Sequence, residues 1–205
     1  MAINHGANIL GLVGNMPSGP GIISDHQILD IARFTPPGVD TFLLTQERST
    51  AAILKHVDGT HTKSIQLVDA VETHVYGELR SALPYVNLIQ VIHVMDQNSV
   101  EEAIALAPWV DALLLDSGNP HLKVKELGGT GRTHNWTFSK CIVDSVDTPV
   151  FLAGGLSPNN IAEAVSMVKP YGIDLCSGVR TNGKLDEKKL NSFFNALHGA
   201  STYTV

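Results

Sequence analysis

With 205 residues, 43% of them apolar and 17% charged, the chain has the size and composition of one globular domain, which excludes a disulfide-stapled miniprotein and a disordered or fibrous segment. Lys and Arg number 14 against 20 Asp and Glu, a net charge of -6, so no broad footprint for nucleic acid or an anionic membrane is expected. A phosphorylated small molecule stays open as a partner, because a few backbone N–H groups hold a phosphate without any net positive charge.

The elements alternate along the chain. Short apolar, β-branched runs predict strands at Asn8 to Gly14, Asp40 to Thr45, Ser64 to Val68, Asn87 to Val94, Asp111 to Ser117, Val150 to Gly154 and Ile173 to Gly178. Between them, helix starts are signalled at Ser24, Asn98, Pro158-Asn159 and Asp186. Repeated βα units argue a parallel sheet, either a (β/α)8-type TIM barrel or an open doubly wound sheet, and the barrel is the expectation for a single domain over residues 1–205. Seven strands are visible where a closed barrel has eight. Because the chain begins almost directly at the first of them, the N-terminal unit is the one expected to be absent. The β-prone tail Ser201–Val205 is a candidate to lie beside Asn8 to Gly14.

Two cysteines, Cys141 and Cys176, stand outside any CxxC pair, so neither a disulfide framework nor a zinc site is indicated. Neither a secretory leader nor an apolar run of roughly 18 residues is present, and a cytoplasmic setting without membrane contact is expected.

Parallel sheets place their sites at the C-terminal ends of the strands. Three glycine-rich segments fall there: Gly128-Gly129-Thr130-Gly131, Ala153-Gly154-Gly155 and Ser177-Gly178-Val179. Glycine lets backbone N–H groups approach an oxyanion closely, so these segments predict phosphate binding. Asp116 ends the apolar run Ala112–Leu115, where partial desolvation would raise its pKa into the range of a general acid; the alternative is a cap on the loop behind it. Gln66 is either a ligand contact or a satisfied core amide. His93 and His134 are acid/base candidates or ordinary loop histidines. Asp174 is buried or faces the pocket, and strand periodicity puts Cys176 on the same face.

The ordered motifs ALLLDS (Ala112–Ser117), GGTGRTHNW (Gly128–Trp136), LAGGLSPNN (Leu152–Asn160) and GIDLCSGVR (Gly172–Arg180) resemble the phosphoribosylanthranilate isomerase family. The likeness is strong over 111–197 and continuous back to Gly6, where Gly6–Val13 looks like the family's second strand. The resemblance implies a (β/α)8 barrel that converts N-(5-phosphoribosyl)anthranilate to the carboxyphenylamino-deoxyribulose phosphate by an Amadori rearrangement in tryptophan synthesis, with no metal or organic cofactor. It implies that Asp116 is the general acid that protonates the furanose oxygen. It further implies that Gly129, Thr130, Gly131, Gly154, Gly155, Ser177 and Gly178 form the phosphate loops, and that Gln66 is a polar barrel residue.

Three departures accompany the match. The family's base is a cysteine on a first strand that precedes the start of this chain; Asp69, His93 and Cys176 are the candidate replacements. Gly21 stands where the family has an arginine for the anthranilate carboxylate, and no cation is expected nearby to replace it. Val68 stands where the family often has histidine. An upstream strand that lies beyond a late start accounts for the first departure but not the second. The alternative is a phosphosugar-binding barrel without isomerase activity or with another substrate, and an unpaired barrel edge would favour a homodimer.

Overall fold

The computed structural model describes residues 1–200, and the tail 201–205 proposed to lie beside the first strand falls outside them. Seven βα units follow one another: β1 (Ile9–Val13), α1 (Asp25–Phe34), β2 (Asp40–Thr45), α2 (Thr50–Thr60), β3 (Ser64–Leu67), α3 (Thr73–Ala82), β4 (Asn87–His93), α4 (Gln97–Leu106), β5 (Ala112–Asp116), α5 (Trp136–Ser145), β6 (Val150–Leu152), α6 (Ile161–Val168) and β7 (Gly172–Ile173). A small hairpin, β8 (Arg180–Thr181) and β9 (Lys184–Leu185), then leads into α7 (Glu187–Gly199).

All neighbouring strands of the main sheet pair in parallel, in the order β1 to β7 without reversal. That order belongs to a barrel; a doubly wound sheet reverses direction at a switch point. Among the described residues β1 and β7 are the two edges and do not pair with each other. The sheet nevertheless curls enough to bring its ends together, for the turn Ile3–His5 before β1 packs on α7, where Gly6 lies against the Phe194 ring.

The apolar residues divide by strand parity. Leu43, Ile65, Leu67, Leu113 and Leu115 face outward and meet Ile53, Leu79, Ala103, Ile142 and Val165 of the helices. Phe42, Ile89, Val91, Ala112 and Leu114 face inward and form a second, smaller core with Val68 and Leu127. Each fully buried aliphatic side chain contributes roughly 1.5–3 kcal/mol, so the sheet–helix layer carries most of the stability. Asp116 has the inward parity of Ala112 and Leu114 and therefore points into the barrel mouth.

Helix ends follow local chemistry. Ser24 and Gln27 form a capping box on α1, and Asp186 accepts from the N–H groups of Lys188 and Lys189 at the start of α7, as the sequence predicts. α4 starts earlier than its Asn98 signal, because Asp96 is the cap and accepts the Asn98 N–H. α6 starts after Asn160 instead of Pro158-Asn159. The last strand is shorter than Ile173 to Gly178. After Asp174 N–H bonds to the Leu152 carbonyl (2.9 Å), the chain leaves the sheet and forms a 3-10 turn over Ser177–Val179.

Candidate active site

The carboxyl ends of β5, β6 and β7 and the loop from Ser117 to Asn135 enclose two adjoining cavities that share Asp116, Asp174, Gly129 and Cys176. The smaller, of about 30 Å³, is walled by the backbone of Gly129-Thr130-Gly131, Ala153-Gly154-Gly155-Leu156 and Ser177. The larger, of about 120 Å³, runs from there to β1 and is lined by Val13, Met16, Gln66, Val68, Leu127 and Arg180 among others.

The smaller cavity exists because its walls lack side chains. Gly155 has φ +63°, and a Cβ there would lie 2.5 Å from the carbonyl carbon of Arg132, so any other residue would push the 128–135 loop away. The Asn160 side chain fixes the same segment: its oxygen accepts the Ser157 N–H (2.8 Å), and its amide donates to the Gly155 carbonyl (3.0 Å). Thr130 and Ser117 hydroxyls meet at 2.9 Å and tie the glycine loop to the end of β5. Of the predicted phosphate residues, Gly129, Thr130, Gly131, Gly154, Gly155 and Ser177 line this cavity. Gly178 instead packs behind it, where a Cβ would overlap the Leu156 carbonyl oxygen.

Asp116 is 8% exposed. One carboxylate oxygen accepts the Ser117 N–H at 2.7 Å, and the other faces Gly128, leaving no room for a Cβ there. Desolvation pushes its pKa up, opposed by the Ser117 bond and by His93. Asp174 is half-buried and lines both cavities. Desolvation first, and repulsion from Asp116 second, raise it to about 6.

The structure separates the three candidate bases. Asp69, just past β3 and of outward parity, pairs with Lys125 and lies 4.0 Å from Arg48 Nε, outside the lining of either cavity. His93 donates from Nε2 to the Val68 carbonyl (3.0 Å), while its Nδ1 is buried beneath Gly118 without a partner; burial lowers its pKa. It too stands outside the cavity lining. Cys176 lines both cavities, and burial raises its thiol. His134 bonds the Ser139 hydroxyl (2.6 Å) at the start of α5, and burial lowers it to about 4. Gln66 opens into the larger cavity.

One expectation is overturned. A cation does stand beside Gly21: the Arg180 guanidinium Nη2 lies 3.9 Å from where a Gly21 Cβ would be. It arrives from the other end of the chain, on the β8–β9 hairpin, and sequence reasoning missed it. The signal was present in Asn182-Gly183, whose φ values of 51° and 75° make the two-residue turn that aims Arg180.

The profile of the family described as N-(5'phosphoribosyl)anthranilate (PRA) isomerase matches residues 15–196. N-(5'-phosphoribosyl)anthranilate isomerase 2 of Methanosarcina mazei is 34% identical over 195 residues, which span 94% of this chain and 85% of that protein. The Methanocella arvoryzae isomerase is 32% identical over 185 residues, 90% of this chain and 84% of its own. The phosphoribosyl anthranilate isomerase structure from Thermus thermophilus superposes with a TM-score of 0.80 at 23% identity, covering 97% of this chain and 91% of that one.

Proposed function

The chain belongs to the N-(5'-phosphoribosyl)anthranilate isomerase family, and from that premise we propose that it catalyses the Amadori rearrangement of N-(5-phosphoribosyl)anthranilate in tryptophan synthesis. The observation that carries this reading is a desolvated carboxyl, Asp116, held between a glycine-walled cavity and a larger, mainly apolar one. The phosphate sits against the N–H groups of the glycine segments, the aryl ring lies along Met16, Leu44, Val68 and Leu127, and the ribose spans Asp116.

Asp116 enters as the acid, because burial favours its neutral form. It gives its proton to the furanose oxygen as the C1–O bond breaks and the nitrogen lone pair forms an iminium. The Asp174 carboxylate takes the C2 proton, and the released electron pair makes the enolamine. Loss of the enol hydroxyl proton and protonation at C1 complete the ketone, and the proton on Asp174 restores Asp116. No atom is gained or lost. Cys176 keeps its proton and serves as wall.

Fluorescence of the aminobenzoate ring follows substrate consumption directly. Turnover is expected for the wild-type chain, and Asp116→Asn should lower kcat by about 10²–10⁴ while product-analogue affinity stays within about threefold. A wild-type chain that consumes no substrate, yet melts higher in the presence of a sugar phosphate, would replace this reading with a phosphosugar-binding protein.

Two coarser expectations accompany the proposal. No helix among the described residues is long and apolar enough to cross a membrane, and both thiols are free; we place the chain in the cytoplasm. Among the described residues the outer edges of β1 and β7 pair with no strand, which favours a homodimer, and one solved relative at TM-score 0.76, from Thermotoga maritima, is described as monomers generated from a dimeric isomerase.

A further inference from the structure

The larger cavity holds a charge that nothing in the proposed proton transfers uses. Arg180 starts β8, and its Nη1 donates to the Gly183 carbonyl at 2.9 Å, which clamps the hairpin turn and fixes the plane of the guanidinium. Among the described residues Nε is buried without a hydrogen-bond partner, Nη2 lies 3.9 Å from where a Gly21 Cβ would stand, on the opposite edge of the sheet, and the guanidinium lies beside the Cys176 thiol. Among the described residues, no carboxylate forms an ion pair with it. A buried N–H without an acceptor costs roughly 1–3 kcal/mol, so Nε favours an incoming acceptor.

Gly21 keeps this position open. Its φ of +87° is glycine's own territory, and a side chain extending beyond Cβ would compete with the guanidinium for the same volume. The bridge between Val13 and Ile22 holds the Pro17–Ile23 loop in place beside β1. Both edges of the sheet thus contribute to one pocket: Val13, Gly19 and Pro20 from the β1 side and the cation from the β7 side. The same cavity is lined by Val13, Met16 and Leu175 and by Asp116, Asp174 and Cys176, whose thiol neighbours the guanidinium.

These observations select the ligand. A second phosphate at this end would bring two negative charges toward two carboxylates against a single cation, whereas one carboxylate matches the flat fork of an arginine and leaves the apolar walls for a ring. We propose that Arg180 is the specificity-determining residue of the larger cavity and holds the carboxylate of an aryl amine whose sugar phosphate occupies the glycine-walled cavity. This rests on the isomerase reading for the identity of the sugar but not for the anchor itself. The charge that recognises the aryl carboxylate is thus carried by the β8–β9 hairpin, across the β1–β7 seam from the loop that contains Gly21.

Three probes test it by isothermal titration: 1-(2-carboxyphenylamino)-1-deoxyribitol 5-phosphate, the phenylamino analogue without the carboxyl, and inorganic phosphate. In the wild-type chain the carboxyl should tighten binding by about 10- to 100-fold. Arg180→Gln should reduce that ratio to about threefold or less while phosphate affinity stays within about twofold. Arg180→Lys, which keeps the charge and loses the fork, should fall between, and it also serves if the Gln variant does not fold. Equal binding of the two analogues by the wild type, an undiminished ratio in Arg180→Gln, or equal weakening of all three probes would each overturn the assignment. A retained ratio in a chain without turnover would sink the isomerase reading and leave Arg180 as a carboxylate anchor; turnover with no ratio would do the reverse.

Discussion

The two cavities that meet at Asp116 are built by opposite means. The smaller has walls of backbone: three glycine segments whose side chains are missing by necessity, held by Asn160 and by the Ser117–Thr130 contact. The larger has walls of side chains drawn from both ends of the chain, with Met16 and Gln66 from one half and Leu127, Asp174 and Arg180 from the other. At Gly155 the backbone wall tolerates almost no substitution, because an added Cβ meets the main chain of Arg132 and Thr133. A side-chain wall can draw its charge from either end of the chain, as Arg180 reaches toward Gly21 from the β8–β9 hairpin.

Breaking the proton transfers should have the largest effect. Asp174→Asn removes the acceptor and leaves Asp116 in place, and it is expected to lower kcat by about 10²–10⁴ with little change in affinity for the product analogue. In the wild-type chain, kcat should fall about tenfold per pH unit below pH 6 as Asp174 takes up a proton, and a flat profile from pH 5 to 7 would remove Asp174 from the role. Next in size is the backbone wall. Gly155→Ala should weaken inorganic phosphate by about tenfold or more, because the 128–135 loop must shift; a titration that shows unchanged affinity would move the phosphate elsewhere.

The smallest effect is on stability and has the opposite sign. Asp174 has a folded pKa of about 6, above its ordinary value of 3.8, so the folded state holds more protons than the unfolded one between those values. Stability therefore falls as pH rises through that window, and at pH 7 the desolvated Asp174 carboxylate costs stability. Asp174→Asn should raise the melting temperature at pH 7 by a few degrees and flatten its pH dependence between about 4 and 6. Calorimetry that finds the variant less stable at pH 7 would show that the carboxylate is satisfied in a way the geometry does not reveal.

The legible parts of the molecule share one property: their signal is local. Ser24 with Gln27, and Asp186 ahead of α7, cap their helices through groups two or three residues away, so sequence spacing suffices to place them. The apolar strands β2 to β6 show themselves by continuous burial, and Asp116 stands out because a carboxylate closes such a run. Ser49 and Asn135 cap α2 and α5 by the same local chemistry, whereas α3 starts after Glu72 without a side-chain cap bond. β7 was overextended, since nothing local reveals that the sheet bond from Asp174 to Leu152 is the last one.

Which charge meets which could not be read this way. Sequence alone offers Asp69, then His93, then Cys176 as the base; in the structure Asp69 turns toward Lys125 and the Val68 carbonyl holds the His93 ring. Arg180 was overlooked because its neighbour Gly21 lies 159 positions earlier in the chain, and proximity across that separation depends on how far the sheet curls. The βα repeat, the family, the glycine segments and the carboxyl at the end of β5 are legible in the sequence, because hydrogen-bonding and burial patterns within a few residues set them. Which candidate base reaches the cavity and which arginine stands beside Gly21 are settled in three dimensions, because electrostatic partners are chosen by distance in space, and the curl that brings the two ends of the sheet together sets those distances.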